Sequence, residues 1–162
     1  MLITFMLFTG NAFAAQQVVS LSPETAVVYS DESPSFKLIY NVENGEKKTT
    51  GISIRIHYNS KIIESISFSD IYGEGMLGHS IAPKNDTENF DGDASTDKYV
   101  VIAWTGLLGN WPAFVNLPGA LAKLNVNIRN DSPNSNTNIN ITRISAAAGY
   151  SFTGKSAVIL VQ

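Results

Sequence analysis

The chain has 162 residues, a formal net charge of −3 and a pI near 5.3, long enough for one domain with a core of its own. It contains no cysteine, which excludes disulfides, thiolate metal sites and cysteine nucleophiles. No basic run stands out along it, which argues against nucleic acid as a partner.

Leu2–Phe8 (LITFMLF) is a short apolar run, too short to span a bilayer. Gly10-Asn11 and then Ala12-Phe13-Ala14 follow, an A-x-A cleavage pattern. The reading is a signal peptide over 1–14 and an exported domain over 15–162, placed in the periplasm or secreted to the extracellular space. The alternative is a buried N-terminal strand. No later stretch has the length and apolarity of a membrane span.

Period-two alternation dominates the rest. Short strands are expected at Val18–Leu21 and Ala26–Val28. Phe36, Leu38, Tyr40 and Val42 form one apolar face, and Ile52, Ile54, Ile56 and Tyr58 another. A turn or short helix is expected around Asn59–Ile63, then a strand over Ile62–Phe68. Ser69–Lys98 reads as a long irregular region, of the kind that carries function or internal organisation. Tyr99–Trp104 is the most apolar strand. Leu124, Val126 and Ile128, then Ile139 and Ile141, alternate with asparagines and read as two strands of a polar hairpin. Val158 and Leu160 close the series. The expected architecture is all-β, an antiparallel jelly-roll β-sandwich of about nine strands.

The acidic half of the long region carries the clearest chemistry. Asp86, Glu88, Asp91, Asp93 and Asp97 crowd together, and unscreened carboxylates so close repel one another. Oxygen donors of this kind suit calcium, with carbonyls and water completing the shell. The spacing is not that of an EF-hand, and a solvated acidic loop is the alternative. Lys84 and Lys98 flank the loop. Trp111, beside Phe114 in a later loop, is a candidate contact for a sugar ring or a protein partner. It can equally cap one end of the core, and that is the favoured reading. His57 shares the polar face of its strand with Ser53 and Arg55, which predicts a surface position.

Gly149–Ser156 fits the phosphate-loop pattern G-x-x-x-x-G-K-[ST]. That pattern holds phosphate only between a strand and a following helix. Here a strand follows, so the match is rejected and no nucleotide is expected. No H-E-x-x-H or G-x-S-x-G signature occurs.

Four stretches resemble the cohesin-type domain, within the wider carbohydrate-binding-module-like β-sandwich group. They are Gly51–Tyr58 with the turn Asn59–Ile62, Tyr99–Trp104, Leu121–Ile128, and Ile141–Val161 as a closing hairpin. Asn59 stands where the family's turn carries Asp, and the acidic insertion Asp86–Asp97 is no general cohesin feature. The resemblance implies a nine-stranded jelly-roll and a non-catalytic binding role, with a dockerin-type protein or a polysaccharide as partner. The leading expectation is therefore an exported bacterial binding module, and not an enzyme. Two alternatives stand beside it: a structural or adhesive surface protein, and a small secreted hydrolase whose carboxylates meet only in space.

Overall fold

A computed structural model describes residues 14–162 apart from 30, 31, 81 and 115. The expected signal peptide lies outside the described residues, save for Ala14.

The chain is all-β. Its strands are β1 (Gln16–Ser22), β2 (Thr25–Val28), β3 (Ser35–Glu43), β4 (Gly51–Tyr58), β5 (Ile63–Ser69) and β6 (Met76–His79). Then come β7 (Lys84–Asn85), β8 (Lys98–Thr105), β9 (Gly119–Ile128), β10 (Ser135–Ser145), β11 (Ser151–Lys155) and β12 (Ala157–Val161). Among the described residues there are twelve strands and no helix, where about nine strands were expected. The three additions, β6, β7 and β11, are short and carry no clean alternation. β6 and β7 organise the long region by pairing with β8.

Two sheets face each other. One has five strands in the order β11-β1-β3-β9-β5; the other has seven, β2-β12-β10-β4-β8-β6, with β7 also on β8. The expectation of purely antiparallel sheets needs correction at two places. β11 runs parallel to β1, and β12 runs parallel to β2. Both pairs join strands far apart in sequence, so no hairpin turn constrains their direction.

Alternation gives each sheet one apolar face, and the two faces meet. Leu38, Tyr40, Leu124, Val126 and Ile63 from the first sheet pack with Ile54, Ile56, Ile102, Ile139 and Ile159 from the second. Each such side chain contributes about 1.5–3 kcal/mol by leaving water.

The expected hairpin over 125–140 is not one. β9 lies in the five-stranded sheet and β10 in the seven-stranded one. Both strands turn their aliphatic residues inward, so they bury them by facing each other across the core. Alternation is identical in the two arrangements, and only the loop distinguishes them. The expected closing hairpin also divides. β12 pairs antiparallel with β10, while β11 crosses to the other sheet. Gly149–Ser156 therefore spans a turn and strand β11 and leads into β12, which is incompatible with a phosphate loop.

Candidate functional site

The polar face of the seven-stranded sheet carries Arg55 and His57 from β4, and Asn138, Asn140 and Thr142 from β10. The segment between β7 and β8 folds back over this face. Its path is set by local turns: Asn89 and Gly92 adopt left-handed conformations, φ 51° and 75°. Asn89 N–H donates to Asp86 O, and Thr96 N–H to Asp93 O.

Three carboxylates of the loop, Asp86, Asp91 and Asp93, point down onto the sheet. Asp86 Oδ2 lies 2.8 Å from His57 Nδ1, and His57 Nε2 lies 2.7 Å from Thr142 Oγ1. Asp91 Oδ2 accepts from Thr96 Oγ1 at 2.5 Å and from Asn140 Nδ2 at 2.9 Å. Asp93 Oδ2 accepts from Asn138 Nδ2 at 3.1 Å, and Asp93 Oδ1 from the hydroxyl and amide of Ser95. These donors pull Asp93 down to about 2, the Ser95 hydroxyl foremost. The Arg55 guanidinium lies 3.9 Å from the centroid of the Phe90 ring, adding a cation–π contact to the clasp.

His57 is a correction. Expected at the surface, it is fully buried, because the loop closes over the strand face on which it lies. Burial holds its pKa below the usual imidazole value, outweighing the pull of Asp91 and Asp86. The ring is therefore neutral near pH 7, with Nδ1–H donating to Asp86 and Nε2 accepting from Thr142. The signal lay in the strands: a histidine, two asparagines and a threonine on adjoining polar faces, opposite an acidic loop.

The five expected metal ligands do not all converge. Asp86 and Asp91 gather around His57, each offering an atom within 4.8 Å of the others. Asp93 sits beside them on Asn138 and Asn140. Asp97 turns away and accepts from the amide and hydroxyl of Ser60 at 2.7 and 2.6 Å. Glu88 is exposed on the outer side of the loop.

Trp111, named above as a candidate ligand contact, is only 1% exposed, and this corrects that candidacy. It caps one end of the core. Its indole N–H donates to Glu74 O, and its ring lies 5.0 Å from Tyr40 and 6.2 Å from Trp104. The chain at Thr49 bridges to it through paired backbone hydrogen bonds. Phe114 is half-buried against Tyr72 at 4.4 Å and also packs over Gly119. Neither ring presents a stacking platform.

This fold of two facing sheets has counterparts among solved structures. A type I cohesin–dockerin complex from Clostridium thermocellum matches with a TM-score of 0.57 over 93% of this chain and 100% of the other, at 10% identity. The fold is that of a cohesin module. The seventh ScaB type I cohesin from Pseudobacteroides cellulosolvens matches at 0.53, with 8% identity over 91% of this chain and 92% of the other. The solution structure of CaCohA2 from Clostridium acetobutylicum matches at 0.52, with 14% identity over 92% of each chain. No family profile matches the sequence, and no curated protein matches it either. The cohesin likeness thus resides in the backbone path, and the four stretches singled out in the sequence map to β4, β8, β9 and β10–β12 of this chain.

Proposed function

We propose that this chain is a non-catalytic, exported protein-binding module of cohesin type. The observation that carries the reading is the cohesin fold, which extends over nine-tenths of the chain and over the full length of a neighbour solved with a dockerin. A sandwich of this kind offers a preformed outer surface on which a partner can dock with little ordering. The partner proposed is a protein of dockerin kind. Titration of the mature domain with a panel of dockerins, beside a glycan array, tests this. Saturable binding to a dockerin supports it; saturable binding to glycans alone replaces it with the polysaccharide reading.

Calcium at the acidic loop belongs to the same proposal, with its ligands narrowed. Asp86, Asp91 and Asp93 face one patch of sheet, and Asn138 and Asn140 can turn their amide oxygens toward it. This is a hard-oxygen donor set of the type calcium takes. Asp97, held by Ser60, and exposed Glu88 are left out. Binding to the folded state would stabilise it by about 2.7 kcal/mol at a hundred times the dissociation constant. A melting temperature that is the same in calcium and in EDTA removes the ion from the loop.

A structural or adhesive role is the second reading. The β2 edge favours it, with Val27 and Tyr29 more than half exposed beside a strand side that pairs with none of the described strands. Light scattering across concentration separates the two, since a strict monomer argues against assembly.

A further inference from the structure

The outer face of the five-stranded sheet holds an arrangement that folding alone does not favour. Lys37 of β3 is directly opposite Lys123 of β9. Like charges directly opposed across an antiparallel pair repel. The row continues on both sides with hydroxyls: Ser22 of β1 faces Lys37, and Ser69 of β5 faces Lys123. One step along, Ser35 and Ser67 flank Asn125 in the same manner. The face is thus a four-strand row, Ser–Lys–Lys–Ser, bordered by Ser–Asn–Ser.

Among the described residues, neither ammonium has a carboxylate within 4.0 Å. Asp70 lines the same hollow, about 430 Å³, together with Ser22, Ser35, Lys37 and Lys123, without forming an ion pair to either lysine. The amide of Asn125 is fixed by donation to Ser69 Oγ at 3.0 Å. The opposite face of the molecule is closed by the acidic loop, whereas among the described residues no segment of comparable length crosses this one.

We propose that the Lys37–Lys123 row is a docking face for a carboxylate-bearing segment of a protein partner. One carboxylate placed between the two ammonium groups removes their repulsion and gains two charge-assisted hydrogen bonds. The serine hydroxyls on either side can donate to a second carboxylate oxygen or to the partner's backbone. Two lysines presented outward on a chain of net charge −3 select acidic partners and reject basic ones. This inference rests on the protein-binding reading above and names the chemistry of that partner.

The test uses the mature domain and a synthetic Glu-Gly peptide as probe, in low salt. Saturable binding is expected for the wild type. Lys37→Glu and Lys123→Glu should each weaken it about tenfold, and Lys123→Arg should keep it. Equal binding by the wild type and both charge-reversed variants overturns the proposal, as does no binding by the wild type. Polygalacturonate is the second arm; capture of it, with the peptide ignored, overturns the assignment to a protein. The two readings fail separately. A dockerin bound equally by the wild type and Lys37→Glu leaves the protein-binding reading standing and removes this face. Peptide binding through the lysines with no dockerin bound does the reverse. Circular dichroism of each variant confirms that loss of binding is not loss of fold.

Discussion

The two outer faces of the sandwich are built from the same kind of strand and are treated oppositely. On the seven-stranded sheet, the polar residues of β4 and β10 are roofed by the 86–97 loop and spent on holding it. On the five-stranded sheet, the serines, asparagines and lysines of β3, β5 and β9 stay open. Polar alternation in a strand therefore does not mean exposure to water. Whether a polar face is solvated, covered or offered to a partner depends on what the connecting loops do, and here one long connection decides it.

The largest expected effect breaks the covered face. His57→Ala removes the donor from the buried Asp86 carboxylate and opens a void beneath the loop. It should destabilise by about 2–3 kcal/mol in urea unfolding. The matching change on the open face, Asn127→Ala, loses two hydrogen bonds at an exposed side chain, one given to Ser65 at 2.8 Å and one taken from Ser33 at 3.0 Å, and should fall within about 0.5 kcal/mol. Equal losses at the two positions would mean that the loop does not seal the face.

The contrast also has a pH signature, best read in EDTA. Burial lowers the pKa of His57 in the folded state, so the unfolded chain takes up the proton first. The stability this residue contributes is complete above the ordinary imidazole value and is lost as pH falls below it. Asp93, held at about 2, adds a second loss as pH falls from the ordinary carboxylate value toward 2. Melting temperature should therefore decline below about pH 6.5 and decline again below about pH 4. His57→Gln should flatten the first limb, and Asp93→Asn the second. A His57→Gln protein with the wild-type profile would show that burial does not govern the ring.

Much of this fold was legible in the chain and its closure was not. The alternating strands β3, β4, β9 and β10 follow directly from side-chain period, because one buried face forces it. Their assignment to sheets does not, as β9 and β10 show, because a strand presents the same apolar face to a neighbour beside it or opposite it. The candidate site was legible in part. The carboxylates of 86–97 were visible as a cluster, but the partners of Asp91 and Asp93 on the sheet, Asn138 and Asn140, lie some fifty residues on. His57 looked solvent-facing because period alone cannot register a loop that returns over the strand. Trp111 was ambiguous for a similar reason: a loop aromatic is exposed or buried according to the chain end it covers.

A middle-sized effect sharpens the account of the clasp. Asn140 donates to both Asp91 and Asp93, at 2.9 and 3.3 Å. Asn140→Ala leaves two carboxylates short of one donor each and should cost about 1–2 kcal/mol. Amide exchange should quicken at Thr96, whose N–H donates within the loop, and not at Ile56 in the strand below. Uniform quickening would place the damage in the core and not in the loop.

The smallest effect carries the opposite sign and belongs to the open face. Lys123→Glu replaces a repelling cross-strand pair by an attracting one, Lys37 opposite a carboxylate. At an exposed position the gain is a few tenths of a kcal/mol, about 1 °C in melting temperature for a domain of this size. A chain shaped only for stability would not keep two lysines in register when one substitution improves the sheet. If the variant melts higher and binds the acidic probe less, the pair is held against the interest of the fold. If it melts lower, the lysines are already satisfied where they are, and the open face loses its argument.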